Sequence, residues 1–128
     1  MLNLGIKGHM EIKVTENLLA KNVGSGALDV FATPAMIALI EETAWKSVAP
    51  SLDFGDSTVG VSVNIEHTAP SPVGATVTCD TELVAVDDRK LTFKATVSDK
   101  KGEIGHGTHE RVIVNSEKFF EKASQPGH

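Results

Sequence analysis

The sequence predicts an α+β fold in which an antiparallel β-sheet wraps around one long central α-helix, and three observations carry the prediction. Only one stretch of the 128 residues, Val30–Val48 (VFATPAMIALIEETAWKSV), sustains a helical period. The chain beyond it alternates apolar and polar residues at period two. Asp87-Asp88-Arg89-Lys90 and Asp99-Lys100-Lys101-Gly102 are hairpin turns, so the strands they join run antiparallel.

Met10–Thr15 (MEIKVT) is a first strand with Ile12 and Val14 on one face. Glu16–Asp29 carries Asn22, Gly24, Ser25 and Gly26, the composition of a loop or irregular turn in a position to act as a lid. Thr33-Pro34 then signals a helix start: the hydroxyl suits an N-cap, and proline suits the first helical position, where its missing donor costs nothing. The helix is predicted to begin at Pro34. A rotation of about 100° per residue gathers Met36, Ile37, Ile40, Ala44 and Val48 on one arc and leaves Ala35, Leu39, Glu42 and Lys46 largely opposite. Glu42 can pair with Lys46 at i,i+4, whereas Glu41 falls at the margin of the arc, where a carboxylate is costly without a partner.

Ala49-Pro50 ends the helical pattern. In Thr58–Glu66, Val59, Val61, Val63 and Ile65 share one face, and Gly60, Ser62, Asn64 and Glu66 the other. Continued one step, His67 lies on the face of Ile65, toward the helix. Ala75–Val86 is the next strand. Leu91–Asp99 follows, with Leu91, Phe93, Ala95 and Val97 alternating against polar residues, then Glu103–Asn115 and a short terminal helix or tail over Ser116–Ala123. One strand, a long helix and four further strands make a hot-dog architecture, here a single domain over residues 1–128. The helix is apolar around more of its circumference than one small sheet can cover, which predicts a homodimer or a dimer of dimers.

A net charge of −5 and a pI near 5.5, with only Arg89-Lys90 and Lys100-Lys101 as basic pairs, argue against a nucleic-acid partner. The single Cys79 excludes an internal disulfide framework and agrees with a reducing compartment, the cytoplasm by default. MLNLGIKGHM has no long apolar run, so no signal peptide or membrane span is expected and the protein should be soluble. His106 and His109 form an H-x-x-H, but on a strand they face opposite ways, and no metal is expected.

Several residues have two readings. Thr33 alone is accounted for as a helix cap. Glu41 is a surface acid or a sheltered, functional one. His67 is a partly exposed strand-end residue or the partner of a carboxylate from the helix. Gly60 marks a bulge or a close approach of ligand to backbone, and Arg111 is an exposed strand residue or a fork for a phosphate or carboxylate group.

Three blocks, VFATPAMIALIEETA, VGVSVNIEHTAPSPVGATV and GTHERVIVN, together resemble in this order the fluoroacetyl-CoA thioesterase-like branch of the hot-dog thioesterases. The likeness covers most of the chain. It implies hydrolysis of a small or medium acyl-CoA to free acid and CoA, with no cofactor beyond the CoA of the substrate. Carried onto matching positions, it implies a catalytic group of Thr33, Glu41 and His67, with Gly60 and Arg111 contacting substrate. In that chemistry His67 transfers protons, Glu41 activates water or attacks directly, Thr33 orients the group or polarises the carbonyl, and helix-start amides face the oxyanion. The aromatic lid residues of the family have no counterpart in Val23–Asp29, VGSGALD. The competing readings are a hot-dog acyl-CoA dehydratase, which also uses a histidine and a carboxylate, and a non-catalytic acyl-CoA binder.

Overall fold

In the computed structural model, which describes residues 2–128, the period-two segments become five strands. They are β1 (Lys7–Lys13), β2 (Asp56–His67), β3 (Thr76–Asp87), β4 (Lys90–Asp99) and β5 (Gly102–Asn115). They form one antiparallel sheet in the order β1-β3-β4-β5-β2. The helices are α1 (Ala20–Val23), α2 (Thr33–Val48) and α3 (Ser116–Ala123), with 3₁₀ turns at Glu16–Leu18 and Ala49–Ser51. Helix α2 lies on one face of the sheet, which is the hot-dog arrangement the element order predicts.

β1 begins three residues earlier than its alternation suggests, because Lys7, Gly8 and His9 pair with Glu82, Thr81 and Asp80 of β3. The segment ahead of α2 is more ordered than its composition implies. α1 is closed by Gly24 at φ 91, a left-handed cap that glycine adopts without steric cost. A bridge between buried Leu19 and Phe31 ties the two ends of the segment together.

The core runs along α2 in two parts. Toward the helix start, Met36, Leu39 and Ile40 pack with Val77, Cys79, Ala95, Val97 and Ile104. Toward its end, Ala44 and Val48 pack with Leu83, Leu91 and Phe93. The buried stripe of the helix is Met36, Leu39, Ile40, Thr43, Ala44 and Val48. The i+4 ladder therefore matches the predicted arc, but its second row is Leu39 and Thr43 instead of Ile37. Thr43 hides this row in the sequence because it is polar. Its hydroxyl donates to the Leu39 carbonyl at 2.7 Å, which satisfies it inside the helix and lets it be buried.

One irregularity in β2 re-aims its side chains. The β2–β5 register passes from Gly60↔Arg111 to Ser62↔Glu110, so Val61 is the extra residue of a bulge. A bulge reverses strand parity, and paired residues share a face. Gly60 with Arg111, Val63 with His109, and His67 with Gly105 thus all face α2. Strict alternation put Gly60 and His67 on opposite faces; the bulge puts them on the same one.

The corrected stripe gives a direct comparison. Leu39→Ala should cost about 2–5 kcal/mol of unfolding free energy by emptying a buried site, and Ile37→Ala less than half as much. Urea titration of both variants checks the order, which the simple helical arc would reverse.

Candidate active site

The start of α2 is drawn close to the sheet at one glycine. A Cβ on Gly105 would lie 2.6 Å from Met36 Sδ and 2.9 Å from the Glu66 carbonyl oxygen, so glycine here leaves the Met36 side chain its seat on the sheet. His67 is the register partner of Gly105, and Thr33 lies one turn before Met36. The seating therefore brings the two together: Thr33 Oγ1 and His67 Nδ1 are 2.8 Å apart. The helix begins at Thr33 with Ala32 as its N-cap, a residue whose side chain makes no capping bond. Met36 N–H closes the first turn by donating to the Ala32 carbonyl at 3.0 Å. The capping explanation for Thr33 is thereby removed, since its hydroxyl is engaged with the histidine.

The His67 ring stands edge-on to Phe31, with centroids 6.2 Å apart, and its Nε2 is buried without a protein hydrogen-bond partner among the described residues. Burial pushes its pKa below the usual histidine value, with the Ala69 backbone opposing. His67 is consequently neutral near pH 7 and able to accept a proton. Thr33 and His67 border a cleft of about 290 Å³ whose other walls include Ala20, Ser25, Val30 and Phe31, so the segment before α2 forms one side of it.

A second cluster surrounds Glu41 at mid-helix. Glu41 Oε2 lies 3.4 Å from Arg111 Nη1, and a Cβ on Gly60 would come within 2.5 Å of the same oxygen. Gly60 is thus the gap in the strand that admits the carboxylate. Arg111 is nearly fully buried. Its Nε donates to Thr58 Oγ1 at 2.8 Å, its Nη2 to the Thr58 carbonyl at 2.9 Å, and its Nη1 to His109 Nε2 at 3.1 Å as well as to Glu41. Glu42 pairs with Lys46 instead. The two acids are similarly exposed, at 40% for Glu41 and 44% for Glu42, so partners and not depth distinguish them.

Within one chain the two clusters stay apart. Eight residues of helix separate Thr33 from Glu41, about 12 Å of rise. Six residues of β5 separate Gly105 from Arg111, about 20 Å of strand. The structure therefore joins Thr33 with His67, and Glu41 with Gly60 and Arg111, but does not bring His67 to Glu41 as the strand parity suggested. Thr58 and His109 belong to the second cluster and were not singled out for it. The signal was present in the strand period, since His109 and Arg111 lie at i,i+2 and share a face. His106, on the other face, is exposed between Glu66 and Glu103.

A sheet wrapped around a helix that starts with a Thr–His pair and carries an Arg-held carboxylate at mid-length defines a hot-dog protein of the thioesterase class. Residues 14–117 match the family described as FlK, fluoroacetyl-CoA-specific thioesterase. The fluoroacetyl-CoA thioesterase of Streptantibioticus cattleyicolor is 40% identical over 97 residues, covering 76% of this chain and 70% of that protein. A solved structure of the fluoroacetyl-CoA thioesterase FlK superposes with a TM-score of 0.92 at 30% identity, covering 100% of this chain and 99% of that one. A threonine-to-serine variant of FlK in complex with acetyl-CoA superposes with a TM-score of 0.93 at 30% identity, over 99% and 100% of the two chains. A Thermus thermophilus member of the thioesterase superfamily, at 23% identity and a TM-score of 0.88 over 94% and 90% of the chains, shares the fold. The chain belongs to the fluoroacetyl-CoA-specific thioesterase family.

The contact at Gly60 makes a specific expectation. Gly60→Ala should force the Glu41 carboxylate off Arg111, because the new Cβ and Oε2 cannot both keep their places. Thioester turnover should then fall about tenfold or more, while the flexible acid moves aside with a stability change under about 1 kcal/mol. Steady-state kinetics beside thermal melts separate this from backbone strain, which would lower both together.

Proposed function

We propose that this protein is an acyl-CoA thioesterase that hydrolyses a small or medium acyl-CoA thioester to the free acid and CoA, using side chains and no metal or other cofactor. The observation that carries the reading is the Thr33–His67 hydrogen bond at the mouth of a cleft, at the start of a helix whose first amides are available to a developing oxyanion. Thr33 polarises and orients the thioester carbonyl. Glu41 takes a proton from the attacking water as its oxygen adds to the carbonyl, and neutral His67 accepts that proton and passes it to the thiolate as the C–S bond breaks. A thiolate is already a good leaving group, so strong acid catalysis is unnecessary. The family match favours this over a dehydratase or a non-catalytic binder.

Glu41 and the Thr33–His67 pair act together if two chains combine around a two-fold axis, with each site taking Glu41 from one chain and Thr33 and His67 from the other. The sheet leaves a suitable surface. β2 is an edge strand of 12 residues whose Val61 and Val63 are exposed, and long apolar edges are normally covered. No helix among the described residues is long and apolar enough to cross a membrane. Burial raises the Cys79 thiol to a pKa of about 11, which leaves it unreactive, and a cytoplasmic location suits this single reduced thiol.

The substrate class is tested with a panel of acyl-CoA thioesters of increasing chain length, reading thiol release. Turnover should favour small and medium acyl groups, and absence of turnover across the panel would reject the reading. Within the panel, Glu41→Gln should lose about a hundredfold in rate or more with little change in melting temperature, while Glu42→Gln stays close to wild type. The neighbouring acid is the control for helix chemistry, and equal losses would remove the assignment.

Shared sites make mixing informative. Thr33→Ala and Glu41→Gln chains should each be inactive alone, yet co-refolded together should recover up to about a quarter of wild-type activity, because half the dimers then contain one intact site. If each chain supplies its own Glu41, the mixture recovers nothing.

A further inference from the structure

The clearest unassigned group in the molecule is His109, a fully buried histidine to which neither the resemblance nor the proposed chemistry gives a role. Its Nδ1 lies 2.8 Å from the Ser62 carbonyl oxygen, which can only accept, so Nδ1 carries the proton. Its Nε2 lies 3.1 Å from Arg111 Nη1, which can only donate, so Nε2 carries a lone pair. The two partners together dictate one neutral tautomer. Its ring packs beside that of Phe93, inclined by 29° with centroids 6.3 Å apart.

With Thr58 on the other side, His109 leaves Arg111 little freedom. Four of the five guanidinium N–H groups are engaged, two by Thr58, one by His109 and one by Glu41. A guanidinium so committed and so deeply buried is poorly placed to serve as a phosphate ligand, and is well placed to hold one carboxylate. The charged groups acting on His109 are Arg111 on the same face of β5, Glu110 next to it in the chain on the opposite face, and Glu41 on α2; β4 and β2 present Phe93 and the Ser62 carbonyl.

We propose that His109 is a positioning residue: fixed as the Nδ1–H tautomer between Ser62 and Arg111, it locks the guanidinium that sets the direction of the Glu41 carboxylate. A protonated His109 would direct an N–H at an N–H of Arg111 and release the clamp. Burial, the largest influence on its pKa, opposes that protonation by lowering the value. The clamp thus stays closed through the neutral range. This role rests on Glu41 being the carboxylate of thioester hydrolysis.

Two measurements on the full chain test it. Long-range ¹H–¹⁵N correlation spectra should show His109 as the Nδ1–H tautomer, still neutral where an ordinary histidine is half protonated, with a slowly exchanging Arg111 Nε–H. A His109 that titrates near the ordinary value or carries its proton on Nε2 would overturn the proposal. This arm needs no turnover, so it judges the clamp even if the thioesterase reading fails on the acyl-CoA panel. In kinetics, His109→Phe keeps the ring and its contact with Phe93 and should lower kcat about tenfold while changing KM less than about twofold. His109→Gln, whose side-chain oxygen can accept from Arg111, should recover most of that loss. In an Arg111→Met background, His109→Phe should add almost nothing, because the residue acts only through the guanidinium. Losses that multiply in the double variant, or a Gln variant as slow as Phe at equal melting temperature, would show a merely structural histidine.

Discussion

The depth at which helix α2 sits on the sheet is the constraint on which the rest of the structure depends. Where the helix is closest, the sheet offers glycines: Met36 rests on Gly105, and the Thr43 carbonyl lies 2.8 Å from where a Gly8 Cβ would be. A larger residue at Gly8 would press on the helix backbone at Thr43, and one at Gly105 would push the Met36 side chain out of the apolar packing beside Thr33 and His67. The same seating that buries the core therefore sets the Thr–His distance, and packing and chemistry cannot be varied independently here.

The two polar clusters have different electrostatic characters, which suits a division of labour. Around His67, burial and an Nε2 without a partner among the described residues leave a neutral base beside an open cleft. Around Glu41, a buried cation with most of its donors committed faces a carboxylate that remains partly in solvent. A charge pair that is half exposed adds little to folding, because solvent screens it and side-chain entropy opposes it. Arg111 is better understood as fixing a direction than as stabilising the fold.

Separation of these clusters within one chain also gives the exposed edge of β2 a meaning. Val61 and Val63 are exposed on this edge strand beside Gly60, and the proposed two-fold pairing would cover them. Burying that edge would lower the local dielectric around the carboxylate and strengthen each polar contact made there.

Most of the architecture was legible in the residues themselves. Period-two segments and two tight hairpins determined the antiparallel sheet, the 3.6-residue ladder from Met36 to Val48 determined the covering helix, and the Glu42–Lys46 pair followed from spacing alone. These are local properties, set by how each residue's neighbours in sequence repeat. The tertiary structure decided what depends on one element meeting another. Thr43 reads as polar but is buried because its hydroxyl closes on Leu39 within the helix. Gly60 reads as facing away from His67 but shares its face because β5 pairs past Val61 and makes a bulge, a register choice no alternation within β2 reveals. Thr33 reads as a cap but bonds His67, and Arg111 reads as an exposed fork but lies buried among Thr58, His109 and Glu41. Gly60 follows from register alone, Thr43 from a bond inside its own helix that lets packing bury it, and Thr33 and Arg111 from the rule that a polar side chain takes the best partner packing brings within about 3 Å, a choice set by strand register and helix depth.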